Sequence, residues 1–546
     1  MSHITRRSAL LGSVAAFIKA PAWANLATAP APAVATPVPL RHVRIMWSTG
    51  QSWRSNYYPS FAGFGFPATV PLSLYSSDAW VGIAGPLMTY AYLPQGTASL
   101  SQNLVNLGPQ WNPILPANDV TIGRCAALTQ ARLRAQYGLS GPDILEISVA
   151  WPGSTWLWGS AGGLGPGAIV TGSISGTTLT VDSVVSGVIA LNQSMYVNSG
   201  NTSIGVITAF GTGTGGTGNY TIDTSQTLGE STIQCIGNSW KEQSQLIPWL
   251  AALPPSAKYV FPPSYGGIGY TQGAAGADAT SIPDKISDLT AMLTLYDAMD
   301  LPCDLPGGKM HYYFGQPSAA SNYTSFVDGN IQSYTGTTNF CVSNAPGQGG
   351  TWSGRCWFTS CSYAWPFDGA DNIHTGDYGT CRWGEWEGYV RFLVEDLGFT
   401  NWTPLWQSLT LPVTKSGTTV TVPFDRPTSS DFAGGVLSWQ SDPNDGIKVW
   451  PQYGWHYFRS GTEIPLVANP VINGMSVTCD IGQAPQTGDV ITYAMYGPGG
   501  PSPGPCSGVG GNLVMNGPPS ILFPNGYEGT PKTLDAWALP LTATVP

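Results

Sequence analysis

Two rhythms take turns along this chain, and their order limits its fold more than any single motif does. From about 40 to 160, strand and helix signals alternate. Val43–Trp47 is an apolar strand interrupted only by Arg44. Arg124–Tyr137 carries apolar residues at helical spacing, with Leu128 and Leu133 on one face, and Gly138 and Gly141 end it. Ile144–Ala150 is a second strand, apolar except at Glu146 and Ser148, and it stops at Trp151-Pro152-Gly153-Ser154. This alternation predicts an α/β unit.

The rhythm then breaks. Between about 163 and 236 charges nearly vanish, and Gly, Thr, Ser and Val dominate. The run IVTGSISGTTLTVDSVVSG alternates with period two around glycine turns, and GTGTGGTGNYTIDTSQT closes the segment, so 163–236 is expected to be a small all-β unit. The α/β pattern resumes with SQLIPWLAAL, which makes the β unit an insertion at a loop. Tyr259–Phe261 and Met310–Phe314 are further strand candidates. Ser281–Met299 is a helix with Ser281 as N-cap, Pro283 in its first turn and Asp284 three residues after the cap. A last helix runs from about Gly379 to Leu397, with Trp383, Trp386, Tyr389, Val390 and Leu393 forming its apolar face. After 401 the signal is β again, in short alternating runs such as SGTTVTVPF, WHYFR and DVITYAMY, which predicts a β-sandwich over 401–500. The Gly/Pro-rich residues 501–546 are expected to pack as a loop tail.

Composition excludes some partners. Charged residues are 10% of the chain, the formal net charge is −10, and no Lys/Arg run exists beyond the N-terminus, which argues against a nucleic-acid backbone as ligand. Residues 1–24 are expected to be a twin-arginine-type export signal: Thr5-Arg6-Arg7-Ser8-Ala9-Leu10-Leu11, an apolar stretch to about Ile18, and Ala22-Trp23-Ala24 as a small-x-small cleavage site. An Ala/Pro/Thr-rich linker, 25–39, follows. A periplasmic or secreted location and no membrane span after cleavage are the corresponding expectations. Nine cysteines are compatible with disulfides in an oxidising compartment, and their odd number leaves at least one thiol free unless a bridge is intermolecular. Cys125 and Cys235 are the candidates for free thiols. No C-x-x-C spacing or His/Cys cluster points to a metal, and no cofactor is expected.

The chemistry turns on one short stretch. The strand Val43–Trp47 runs into Gly50-Gln51-Ser52, followed at once by Trp53. A nucleophilic serine needs a base, a group that orients the base, and donors for the oxyanion. Only five histidines exist. One of them, His374, lies in DGADNIHTGDYGT, a polar Gly-rich loop just before the last α/β helix, where Asp371-x-x-His374 is the only D-x-x-H of the chain. A carboxylate three residues before an imidazole can bond Nδ1 and leave Nε2 facing a serine. The G-x-S-x-G pattern at Gly500–Gly504 has a proline on each side of its serine and no helix after it, so it is not a nucleophile elbow.

Gly50-Gln51-Ser52, followed far downstream by Asp371-x-x-His374-x-x-x-x-Gly379, resembles the SGNH (GDSL-like) hydrolase superfamily. The G-Q-S form is similar to its carbohydrate-esterase branch, which includes sialate O-acetylesterases and acetylxylan esterases. The resemblance spans 40–162 and 237–400. It implies a three-layer α/β/α sandwich with a parallel sheet, Ser52 as nucleophile, His374 as base and Asp371 as its orienter. It also implies oxyanion donors from the N–H groups of Ser52 and of Gly153, which follows the strand Ile144–Ala150, and from the side-chain amide of Gln272. Here the chain departs from the branch: where a Q-G-E-x-D segment is expected, Gln272-Gly273 is followed by Ala274. Trp53 and Trp156 are the aromatic residues that a sugar ring would pack on. The 166–235 segment is similar to Ser/Gly/Thr-rich β repeats of bacteriophage tail and bacterial surface proteins, and 402–500 resembles the β-sandwich appended to some phage and bacterial SGNH proteins. The implied function is removal of O-acetyl or similar short acyl groups from a carbohydrate or polysaccharide. Two rivals stand beside it. One is a non-catalytic carbohydrate-binding or adhesion protein on the same scaffold. The other is an acyltransferase that moves the acyl group to another sugar.

Overall fold

The structure is a computed structural model that describes residues 42–50, 79–81, 112–113, 121–150, 168–187, 189, 191, 193–197, 202–236, 264–271, 281–316, 329–365, 375, 377–440, 449–495, 510–523 and 532–546. The first strand, β1, is Val43–Gly50. Short strands β2 (Ala79–Val81) and β3 (Asn112–Pro113) precede helix α1 (Ile122–Gln136) and strand β4 (Asp143–Ala150). Thr121 caps α1, its side chain accepting from the Arg124 N–H at 3.1 Å.

Strands β5 (Ala168–Ser186), β6 (Ser194–Val197), β7 (Thr202–Phe210) and β8 (Gly218–Ile236) form a sheet of their own, in the order β5-β8-β6-β7. Its apolar core, with Val170, Leu179, Met195, Ile207, Tyr220 and Ile233, is separate from the main core. The two long strands pair antiparallel so that Ala168 sits opposite Cys235. The segment therefore leaves and returns at neighbouring points.

The α/β rhythm resumes with β9 (Ser264–Thr271), α2 (Ile282–Ala298), β10 (His311–Gln316), α3 (Gly329–Ser343), β11 (Cys356–Cys361) and α4 (Asp377–Arg391). A π-helical turn, Phe392–Asp396, extends α4. Ser281 and Asp284 form the expected capping box on α2. The strand candidate Tyr259–Phe261 lies outside the described residues. Neither α3 nor β11 was expected from sequence. The α3 segment, GNIQSYTGTTNFCVS, is poor in strong helix formers. Its Gly336 lies against the Lys285 side chain of α2, where a Cβ would collide. Packing on α2, rather than propensity, holds this helix.

The main sheet has seven strands in the order β11-β10-β9-β1-β4-β2-β3. Every adjacent pair is parallel except β2–β3. Side chains of β10 alternate in their partners. The Tyr313 ring lies 4.2 Å from the Arg391 guanidinium of α4, and Gly315 abuts Trp383 of the same helix. Tyr312 donates to Asp297 of α2 at 2.9 Å, and Phe314 meets Phe340 of α3 edge-on. On β1, Trp47 packs edge-on against Tyr296 of α2, while Ser48 adjoins Gly123 of α1.

Three antiparallel sheets follow. The first is built on Thr419–Asp425 and Ser476–Asp480. The second joins Leu437–Trp439 to Leu513–Met515 and Ala536–Trp537. The third joins Trp455–Arg459 to Thr462–Ile464, Val490–Tyr493 and Leu541–Thr544. This corrects the expectation of a loop tail over 501–546. Three of these strands lie beyond residue 500, and each is too short, at two to four residues, to announce itself by alternation. One continuous apolar core runs from Ile45 and Trp47 of the α/β part through Trp402 and Trp455 to Val545.

Candidate functional site

In an open parallel sheet, ligands bind beyond the carboxyl ends of the strands, where the strand order reverses. Here that point is β1. After β1 the chain adds β2 and β4 on one side, then returns to place β9, β10 and β11 on the other. The carboxyl ends of the three central strands are level: Gly50 of β1 pairs with Ala150 of β4 and with Thr271 of β9. In sequence, Ser52 comes two residues after Gly50, Gly153 three after Ala150, and Gln272 one after Thr271. Ser52, Gly153, Gln272, Asp371 and His374 lie outside the described residues, as do Trp53 and Trp156.

The flanks of the histidine loop are described. Thr375, the residue after His374, is buried, and its Oγ1 lies 2.9 Å from Oγ1 of Thr380 in the first turn of α4. The direction of α4 follows from its contacts. Trp383 touches Gly315, near the carboxyl end of β10, whereas Arg391 reaches the carbonyl of Gly267 and Glu395 lies 3.5 Å from Arg44, near the start of β1. Helix α4 thus runs against the strands, with its N-terminal turn toward their carboxyl ends. Helix α1 lies beside it and runs the same way: Cys125 meets Cys381, Gln130 reaches Asp396 at 2.8 Å, and Arg134 pairs with Asp396 at 2.7 Å.

The first turns of α4 are held from outside the α/β part as well. Glu385 is fully buried. Its Oε1 accepts from Ser520 Oγ at 2.6 Å, from the Leu522 N–H at 2.9 Å and from the Ile521 N–H, and its Oε2 pairs with Arg382. Arg382 also donates to the Thr533 carbonyl, and Phe523 packs edge-on against Tyr378. Glu385, close in sequence to the histidine loop, is therefore committed to the C-terminal segment. Trp383 and Trp386 are core residues.

The other described histidines sit elsewhere. His42 precedes β1, and His311 opens β10, so both are at the amino edge of the sheet. His311 is buried, accepts from Trp357 Nε1 at 3.3 Å, and is pushed down to about 4 by burial, so it is neutral at pH 7. His456 belongs to the third antiparallel sheet and lies 2.7 Å from Glu463.

Two features escaped sequence reading. Among the eight described cysteines no disulfide bond is closed. Cys125, expected to be free, lies with its Sγ 3.5 Å from that of Cys381, a contact between residues 256 apart in the chain that spacing could not reveal. Cys235 is buried in the inserted sheet, where burial pushes its thiol up to about 12. The second feature is Gln316 at the carboxyl end of β10. It is fully buried and donates to Thr338 Oγ1, and its Oε1 has no hydrogen-bond partner. Among the described residues, no group of three or more His, Cys, Asp or Glu side chains could hold a metal ion. Among them also, no helix is long and apolar enough to cross a membrane.

No family model matches the chain, and no curated protein matches it. Among solved structures it is similar to a carbohydrate acetylesterase from Xanthomonas citri, at 12% identity and a TM-score of 0.44, over 92% of this chain and 80% of that one.

Proposed function

We propose that the chain is a serine esterase of the SGNH kind that removes short acyl groups, acetyl above all, from a carbohydrate. The observation that carries this reading is the level ending of β1, β4 and β9 at the point where strand order reverses, with the Ser52, Gly153 and Gln272 blocks beginning one to three residues later. The direction of α4, which begins three residues after His374, supports it. So does the placing of His42 and His311 at the opposite edge. The partner pattern of β10, with α4 meeting one set of alternating side chains and α2 and α3 the other, supports a three-layer α/β/α sandwich.

In the proposed reaction, Ser52 Oγ attacks the ester carbonyl while His374 takes its proton. Asp371 holds the imidazole in the tautomer that keeps Nε2 free. The N–H groups of Ser52 and Gly153 and the Gln272 amide stabilise the oxyanion. His374 then gives the proton to the leaving sugar hydroxyl, and water resolves the acyl-enzyme. Residues 1–24 are proposed to export the chain by a twin-arginine-type route, which N-terminal sequencing of the mature protein from a cell fractionation would test.

The test of the activity is hydrolysis of p-nitrophenyl acetate and release of acetate from an acetylated polysaccharide. Ser52→Ala and His374→Ala should each abolish turnover while leaving the thermal transition in place. Undiminished turnover by Ser52→Ala would remove the serine mechanism. No turnover by the wild-type chain on either substrate would favour a non-catalytic binding role.

A further inference from the structure

We propose that Cys125 and Cys381 form a disulfide that staples α1 to α4. The two Sγ atoms are already 3.5 Å apart, so closure to a bond of about 2.05 Å asks for a shift of roughly 1.5 Å. The helix backbones are close enough for this. Gly384, one turn beyond Cys381, lies where a Cβ would collide with Cys125 Cβ, and Gly388 lies against the Ala126 carbonyl. Both cysteines are fully buried, so the pair meets no competing thiol from solvent once folded. The link would join positions 256 residues apart, across the largest part of the α/β unit and around the inserted sheet. It would tie the second turn of α4 to the first turn of α1, at the end of both helices that faces the carboxyl edge of the sheet.

The chemistry balances by thiol–disulfide exchange with an oxidant of the disulfide class. The thiolate of one cysteine attacks glutathione disulfide and expels one glutathione thiolate. The second cysteine then attacks the mixed disulfide at the protein sulfur and expels the glutathione that remains. Two cysteine thiols lose two protons and two electrons, and one glutathione disulfide becomes two glutathiones. Burial places this step during folding, before α4 closes on α1.

The proposal is independent of the esterase reading, and its test does not use turnover. The full chain is unfolded in urea and refolded in a glutathione redox buffer. Remaining thiols are alkylated under denaturing conditions, and the unreduced protein is digested with trypsin. The expected product joins Cys125–Arg132 to Cys356–Arg382, with fragmentation placing the link on Cys381 and alkyl groups on Cys356 and Cys361. The link should vanish in Cys125→Ser and persist in Cys356→Ser. Against the same protein reduced with dithiothreitol, the oxidised form should melt at least about 3 °C higher, because a long loop is closed in the unfolded state. That difference should be absent in Cys125→Ser. A refolded protein with a cooperative melt in which Cys125–Arg132 is recovered alkylated would overturn the proposal, as would a link from Cys125 to any other cysteine.

Discussion

At the scale of the residue, two positions make opposite demands on their surroundings. In sequence Asp371 comes three residues before His374 and Asp368 six before it, whereas Asp377 opens α4. If Asp371 orients the imidazole, Asp371→Asn should lower kcat on an acetyl ester by roughly 10²–10⁴, with KM little changed, because the base loses its tautomer and its stabilised cation. Asp368→Asn and Asp377→Asn should stay within about tenfold of wild type. Equal kcat values across the three variants would mean that another acceptor holds His374. Lys285 is a structural case. Burial between α2 and α3 lowers its ammonium to about 7, with Asp288 acting in the other direction. In the unfolded chain the proton is held up to about 10.5. Between these values folding releases a proton, so this group's penalty is full below about 7 and fades as pH rises toward 10.5. Lys285→Met should therefore melt higher than wild type at pH 7, and the gap should narrow by pH 10. Thermal melts across that range decide it, and a variant without a gain at pH 7 would show that the ammonium is well satisfied in the fold.

At the scale of the element, α1 and α4 pack closely. Gly384 and Gly388 form a flat strip on α4 that lets the backbone of α1 approach, and polar groups farther along, Arg134 with Asp396 and Gln130 with Glu395 and Asp396, close the far end. Adding one methyl group at Gly388 would drive it into the Ala126 carbonyl and to within 2.6 Å of Thr129 Cβ. Gly388→Ala should cost about 1–3 kcal/mol, read as a lower urea midpoint at unchanged slope. Gly434→Ala, where a Cβ meets nothing, should stay within about 0.5 kcal/mol of wild type. Similar losses at both positions would mean that helix packing is not what Gly388 serves. The apolar face expected of α4, with Trp383, Trp386, Tyr389 and Val390, was legible because a 3.6-residue period survives in the sequence. What that face packs on was not: Trp386 stacks on Phe432, and Tyr389 donates to Asp431 at 2.6 Å, both from the C-terminal β region.

At the scale of the whole molecule, the two β regions relate to the α/β part in different ways. The inserted sheet has its own core, and Ala168 and Cys235 pair where it begins and ends. Replacing 168–236 by a short linker should leave a chain that still melts cooperatively and still turns over a small acetyl ester. Loss of folding on that deletion would make the segment part of the main core. The C-terminal strands share the main core and supply Ser520, Ile521 and Leu522 to Glu385. A chain ending at residue 500 loses the strand that borders Val490–Tyr493 and the partners that Glu385 and Arg382 find beyond residue 500, so it should show no cooperative melt. A soluble, cooperatively folding truncate would refute this. The sequence by itself determined strands β1 and β4, helices α1 and α4 and the capping of α2, because each depends on residues near one another in the chain. Only the tertiary structure decided that β1 is the place where strand order reverses, that α3 folds as a helix against Lys285, that three strands beyond residue 500 join the C-terminal sheets, and that Cys125 faces Cys381. Those outcomes come from contacts between residues tens to hundreds of positions apart, and local periodicity carries no record of them.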